Sequence, residues 1–286
     1  MNRFASFLTF ICAVLLLGGC GESYTNARLN PAPELYKKVV SLSPSSTDIC
    51  QTLTYITLVG RTSQCSVPPV SKAIVVMNGL KPDYEKIMSV SPDAIVYDHD
   101  LISETDLAKF KEMKIPTFDT GGADNTVNAF ITRLREFAKY THGETANSAY
   151  IDRITKEINS AKGNAVTPKP RIAVLLGGGG AEHMIAGKNS FVADIVRQAQ
   201  SEPIGPDAKN FVGLNAEWLK SADPDVIVVP GDASSVTNDP RFKTLKAITK
   251  GRVISFDADL LLRRGSRVES AIKNLNVSVY QTMNKN

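Results

Sequence analysis

Short apolar runs alternate with amphipathic stretches through most of this chain. Residues 38–43, 56–60, 94–97 and 115–118 have the length and apolar character of strands, and the segments 83–89, 103–113 and 126–140 carry apolar residues at helical spacing. The run Pro44-Ser45-Ser46-Thr47-Asp48 predicts a turn opening a helix through Leu53, with Ser45, Ser46 or Thr47 as its cap. The N–H groups of that helix end would favour a carboxylate, phosphate or amide oxygen. After Pro168 and Pro170 the alternation restarts, with strands over 171–176, 226–229 and 252–256 and helices near 190–200, 217–222, 242–247 and 265–283. Such alternation predicts an α/β fold with mainly parallel sheets, in which ligands collect at the carboxyl ends of strands.

Between the two series lies ETANSAYIDRITKEINSAK, residues 144–162. There Ala146, Ala149, Tyr150, Ile154, Ile158 and Ala161 recur at helical spacing among charged residues. The segments on its two sides share one plan. Glu85, six residues, Pro92-Asp93 and an apolar strand are matched by Glu217, six residues, Pro224-Asp225 and an apolar strand. We therefore expect two like, Rossmann-like α/β lobes, over residues 38–142 and 170–286, joined by one long rigid helix over 143–163. A cleft between such lobes is a natural place for a small molecule.

The first residues do not fit this plan. A positive start at Met1-Asn2-Arg3, an apolar run over 7–17 and Leu17-Gly18-Gly19-Cys20 describe a signal peptide over 1–19, too short in its apolar part for a comfortable membrane span. Leu-Gly-Gly-Cys resembles the lipobox of bacterial lipoproteins, which implies cleavage before Cys20, lipid attachment to its sulfur and an extracytoplasmic, membrane-anchored protein. Residues 20–37, polar with Pro31 and Pro33, read as a tether. Of the remaining cysteines, Cys12 lies in the signal peptide, and Cys50 and Cys65 either pair or stay free thiols.

The formal net charge is +4. Lys and Arg are scattered, without a basic stripe, which argues against a nucleic-acid partner. The loop 177–180 is all glycine, but Glu182 stands where a dinucleotide fingerprint needs glycine and Asn189 follows Gly187-Lys188, so a bare rim for a bulky ligand is expected instead of a phosphate site. His99 and His183 come after strands and could face one cleft with Asp98, Asp100 or Glu182. They suit hydrogen bonding, or a transition metal in the alternative reading. No nucleophile with its base appears, so no enzyme is expected.

In order, VVSLSPSSTDI (39–49), VGRTSQCSVPP (59–69), NGLKPDYEKI (78–87), PDAIV (92–96), AGKNSFVADIV (186–196), PDVIVV (224–229) and DLLLRRGSRV (259–268) resemble the periplasmic binding proteins with a rigid connecting helix, called class III. That group serves ABC importers of cobalamin, iron-siderophores and haem. Cys65 with Pro68-Pro69 after it is similar to the cobalamin-binding branch. Gln64 and Val67 stand where aromatics are frequent there, and Leu260 comes after Asp259 where some members place tryptophan. The resemblance implies a monomeric solute-binding protein delivering a bulky chelate (a corrinoid, ferric siderophore or haem) to a permease dimer. It implies no resident cofactor, although the ligand itself can carry cobalt or iron. Ligand contacts are expected from Ser43, Pro44, Ser45, Cys65, His99, Gly122, Gly179, His183 and Arg263, and permease docking from Glu85 and Glu217. A metal-binding protein, or a non-transport surface sensor of the same fold, is the alternative.

Overall fold

The computed structural model describes residues 35–65, 72–121, 124–177 and 182–285. In the first lobe β1 (Lys38–Ser41), α1 (Pro44–Leu53), β2 (Thr57–Thr62), β3 (Ile74–Asn78), β4 (Lys81–Pro82), α2 (Tyr84–Ser89), β5 (Ala94–Tyr97), α3 (Glu104–Glu112), β6 (Thr117–Asp119) and α4 (Val127–Thr141) succeed one another. The strands lie in the order β4-β3-β2-β1-β5-β6, and every neighbouring pair is parallel except β3 with β4 at one edge. β1 and β5 are buried on both faces, which explains their unbroken apolar runs.

α5 (Glu144–Gly163) then crosses to the second lobe; its 20 residues make a rod of about 30 Å. There β7 (Arg171–Leu176), β8 (Met184–Ala186), α6 (Phe191–Gln198), β9 (Glu202–Pro203), β10 (Phe211–Gly213), α7 (Ala216–Ala222), β11 (Val226–Pro230), α8 (Ser234–Thr237), α9 (Lys246–Thr249), β12 (Val253–Phe256), α10 (Ala258–Leu262) and α11 (Val268–Met283) complete the fold. β7, β11 and β12 are parallel; on the edge of β7 away from β11, β9 pairs in parallel with its start and β8, followed by β10, antiparallel with its end. The expected helix over 242–247 is instead a 3-10 turn at Pro240–Phe242 with α9 after it, and the closing helix begins at Val268 and not Gly265, because the Gly265 carbonyl and the Ser266 N–H are bonded to Tyr150 and Asp48.

The repeated Pro-Asp has a physical reason. In each lobe the chain leaves a short helix through a left-handed residue, Ser91 (φ 44°) or Asp223 (φ 41°). The Asp after the proline then grips the start of the lobe's first long strand. Asp93 donates its N–H to the Lys38 carbonyl at 2.8 Å and accepts from the Lys37 and Lys38 N–H groups, both at 2.8 Å. Asp225 does the same with Arg171, at 2.9 Å in both directions. The two helices match as well: Asp83 caps α2, Asn215 caps α7, and Glu85 and Glu217 are each the second residue of the helix.

One apolar core runs through both lobes. Val39, Ile49 and Phe130 of the first, Tyr150 and Ile154 of α5, and Val174, Ile195 and Ile272 of the second belong to a single buried cluster, with smaller clusters under the outer face of each sheet. α5 packs on both α4 and α11. Burial of this kind stabilises by about 25 cal/mol per Å² of apolar surface, so the lobes are held together by the same term that folds each one.

Candidate functional site

The carboxyl ends of β1, β2, β5 and β6 face a mouth shared with the second lobe. β1 ends in Ser41, and Leu42 and Ser43 follow it, all three fully buried. Ser43 caps α1, its Oγ accepting from the Ser46 N–H at 2.9 Å while its carbonyl accepts from the Thr47 N–H at 3.0 Å. The cap is therefore Ser43 and not one of the three residues expected, because Pro44 occupies the first helical position, where it loses no hydrogen bond. With Pro44 lacking an N–H and two others satisfied from inside, this helix end has little left to offer an anion. A hydroxyl chain seals it further: Ser46 Oγ and Thr120 Oγ1 lie 2.6 Å apart, and Thr120 Oγ1 donates to the Tyr97 carbonyl at 3.0 Å.

Cys65 lies three residues beyond β2 and is 6% exposed. Its sulfur is 3.0 Å from Thr47 Oγ1 and 3.3 Å from Thr62 Oγ1. Both Cys50 and Cys65 are free buried thiols, and burial, with Cys65 adding to it, pushes the Cys50 thiol well above its ordinary range. Neither Ser43 nor Cys65 presents its side chain to solvent; they support the mouth from beneath. Pro44 and Ser45, half-buried, stand closer to it, and Pro44 lines a cavity.

The polar centre of the mouth lies at β5 and β6. His99 opens a 3-10 turn and is bracketed by carboxylates, Nδ1 3.2 Å from Asp119 Oδ2 and Nε2 3.4 Å from Asp100 Oδ1. Into this group comes Arg264, from the segment between α10 and α11 of the other lobe. Its side chain is 8% exposed; it pairs with Asp100, approaches Asp98 Oδ1 at 3.8 Å, donates to the Gly121 carbonyl at 3.2 Å and lies over the Phe191 ring. Desolvation raises the Asp98 carboxyl above its ordinary range despite the Arg264 guanidinium, which pulls it down. Asp98, His99 and Asp100 offer ligand atoms close enough together for a metal ion, but the guanidinium already stands against both aspartates.

Arg264 is the residue that sequence reasoning misses. Its neighbour Arg263, expected in the cleft, pairs within its own lobe with Asp259 at 2.8 Å. The small residues after Arg264 are the available signal. Ser266 N–H donates to Asp48 Oδ2 at 2.6 Å, the Gly265 carbonyl accepts from Tyr150 OH at 2.8 Å, and the Val268 N–H donates to that same hydroxyl at 2.8 Å. The segment 264–268 thus straps the second lobe to α1, α5 and the ends of β5 and β6.

His183 does not join the mouth. It is 5% exposed, its Nε2 lies 3.0 Å from Asp239 Oδ2, and its ring packs 5.3 Å from that of Phe242 inside the second lobe. Burial draws it there because Asp239, held well below the usual carboxylate range chiefly by Arg241, supplies the polar partner. Glu85 and Glu217 are exposed on the outer helices, and Glu217 pairs with Lys220 at 2.8 Å. Cys20, Pro68-Pro69, Gly122 and Gly179 lie outside the described residues.

Three adjoining cavities run along the mouth. One of about 350 Å³ is walled by Leu42, Pro44, Thr62, Gln64, Met77 and Leu80. The next, about 580 Å³, shares Leu80 and Leu101 with it and adds Lys81, Tyr84, Asp100 and Asp106. The third, about 260 Å³, shares Asp100 and is walled by both lobes, with Phe191, Lys209, Phe211, Leu262 and Arg264 among its lining. Apolar walls with a few fixed polar groups are the usual make-up of a small-molecule site.

The sequence model of a family described as periplasmic binding protein matches residues 39–260. The chain is 22% identical, over 98% of both proteins, to a Bacillus subtilis protein named "Uncharacterized ABC transporter substrate-binding lipoprotein YvrC". Among solved structures it is similar to the periplasmic vitamin B12 binding protein BtuF of Vibrio cholerae, with TM-score 0.76 and 17% identity over 88% of this chain and 100% of that one. It is also similar to the apo form of the periplasmic heme-binding protein RhuT from Roseiflexus sp. RS-1, with TM-score 0.73 and 23% identity over 86% of this chain and 98% of that one.

Proposed function

The chain belongs to the periplasmic binding protein family, and from that premise we propose that it is the lipid-anchored, extracytoplasmic receptor of an ABC importer for a bulky chelate: a corrinoid, a ferric siderophore or haem. The observation that carries this is the run of three adjoining cavities at the carboxyl ends of the strands, one of them walled by both lobes. Cavities of this size suit a ligand much larger than a sugar or an amino acid. The binding proteins for vitamin B12 and haem that share the fold support the same ligand class. Cys20 would carry the lipid.

Glu85 and Glu217 give the two lobes matching exposed carboxylates, each in the first turn of its helix. Two such charges would set the register on a permease dimer and speed encounter more than they tighten it. Of the two, Glu217 must exchange its Lys220 partner.

The test is an absorbance titration of the full chain in detergent with cyanocobalamin, hemin and a ferric siderophore, and then docking to its permease. We expect one chelate to bind with a spectral shift. E85A with E217A should keep that binding and lose stimulation of the transporter's ATPase. No shift with any of the three chelates would overturn the proposal.

A further inference from the structure

The cavity walled by both lobes differs from the other two in charge and in wall chemistry. Among the described residues the cavity beside Pro44 is lined without a charged group, and that beside Tyr84 sets Lys81 against Asp100 and Asp106. In the cavity between the lobes, Lys209 and Arg264 face one carboxylate, Asp100, leaving an excess of one positive charge. Arg264 is consumed by Asp100, Asp98 and the Gly121 carbonyl. The excess therefore resides on Lys209, whose ammonium forms no ion pair among the described residues. The nearest acid along the chain, Asp207, is already held by Asn189 at 2.6 Å and Lys188 at 3.5 Å.

Lys209 is also placed from the opposite lobe. Asn125, just before α4, donates its side-chain N–H to the Lys209 carbonyl at 3.0 Å, so the backbone at the entrance to β10 is fixed across the mouth. Beside it stand the Phe191 and Phe211 rings and Leu262, of which Leu262 is 40% exposed. Phe191 is itself set by an edge contact with Phe130 of the first lobe, ring centres 5.9 Å apart.

From this juxtaposition we infer that the cavity between the lobes receives an ionised acid group carried on the edge of a flat apolar body, with Lys209 as its counter-charge and Phe211 and Leu262 as its walls. The inference rests on the receptor reading above and narrows it to chelates bearing peripheral carboxylates, over those whose edge carries only uncharged amides. A flexible ammonium at a half-open rim recognises such a group as a point charge, and aromatic faces favour a planar partner.

The test uses the full chain with hemin, which carries two ionised carboxylates, and cyanocobalamin, whose edge carries amides, as probes. Wild type should bind hemin more tightly than cyanocobalamin, with an affinity that falls as salt is raised. K209A should weaken hemin binding about tenfold and flatten its salt dependence, K209E should weaken it further, and K209R should restore it; a charge-assisted contact has about this worth. Cyanocobalamin binding and the melting temperature should not move. If cyanocobalamin binds more tightly than hemin, or K209E binds hemin as wild type does, the inference fails while the receptor reading stands. If neither these nor a ferric siderophore binds, both fail.

Discussion

Gly265 sits where the strap between the lobes passes closest to α1. A methyl group there would overlap Asp48 Oδ2, the oxygen that accepts the Ser266 N–H. Overpacking at a buried site typically costs about 1–3 kcal/mol, so G265A should lower unfolding stability by that amount in urea melts. D48A should also destabilise by leaving the buried Ser266 N–H unpaired. The double variant should lose less than the sum, since removing the carboxylate also removes the overlap. Additive losses would mean that Gly265 is not pressed against Asp48. This scale is where sequence is least legible. Arg263 and Arg264 are adjacent and chemically identical, and only the direction of one loop decides that the second crosses the mouth while the first folds back on Asp259. His183 has the sequence setting of a cleft residue for the same reason: its partner Asp239 lies far along the chain, and no local pattern announces the pair.

At the scale of elements the twin Pro-Asp units make a testable pair. The Lys38 N–H, ahead of the other contacts, holds the Asp93 carboxyl below its ordinary value of 3.8. Burial would raise that of Asp225, but the Lys246 ammonium and the Arg171 N–H outweigh it and the net shift is also downward. A carboxylate with a depressed folded pKa adds stability that is present above its unfolded value and is lost as the pH falls through the folded one. Stability should therefore decline below about pH 4, and D93N and D225N should each make that decline shallower in a series of urea melts. At neutral pH, D225N should cost roughly 1 kcal/mol, the net worth of a charge-assisted bond at a partly buried site. D93N should cost less, because Asp93 is solvent-facing. An acid limb unchanged in both variants would remove the motif from any role in stability. The motif is visible in sequence because its spacing repeats, and the strands it leads into are visible because burial on both faces makes them uniformly apolar. β8, β9 and β10 are not visible: two or three residues each, they carry too little pattern to separate from loop. β3 is hidden differently, its four apolar residues, 74–77, being too short a run to separate from the turn after them. In α5 the apolar stripe of the sequence runs through Ala149, yet Asn147 and Ile151 are the buried positions there; Asn147 turns inward because the Leu53 and Gly143 carbonyls accept its amide, both at 2.8 Å.

For the whole molecule the decisive feature is that the largest apolar cluster does not respect the boundary between the lobes. Cross-lobe polar contacts add to it: Asp194 accepts from the Val127 N–H at 2.8 Å, Tyr150 bonds both ends of Gly265–Val268, and Arg264 enters the acids of β5. Separating the lobes would expose this cluster and take from buried Asp48, Asp98 and Asp194 the Ser266 N–H, the Arg264 guanidinium and the Val127 N–H respectively. A state with one lobe folded and the other melted is therefore costly on both counts. We expect the two lobes to unfold as one cooperative unit. The single tryptophan, Trp218, lies in α7 of the second lobe and is 37% exposed, so its fluorescence reports that lobe alone while far-ultraviolet circular dichroism reports both. In urea the two signals should trace one transition with a shared midpoint and slope. R264A and Y150F should shift that midpoint without splitting the curves. Two separated midpoints in wild type would show lobes that fold independently, and the mouth would then be a hinge that ligand closes. Coincident midpoints mean that the mouth is largely built before the ligand arrives, so affinity depends on how well the chelate fits cavities already in place.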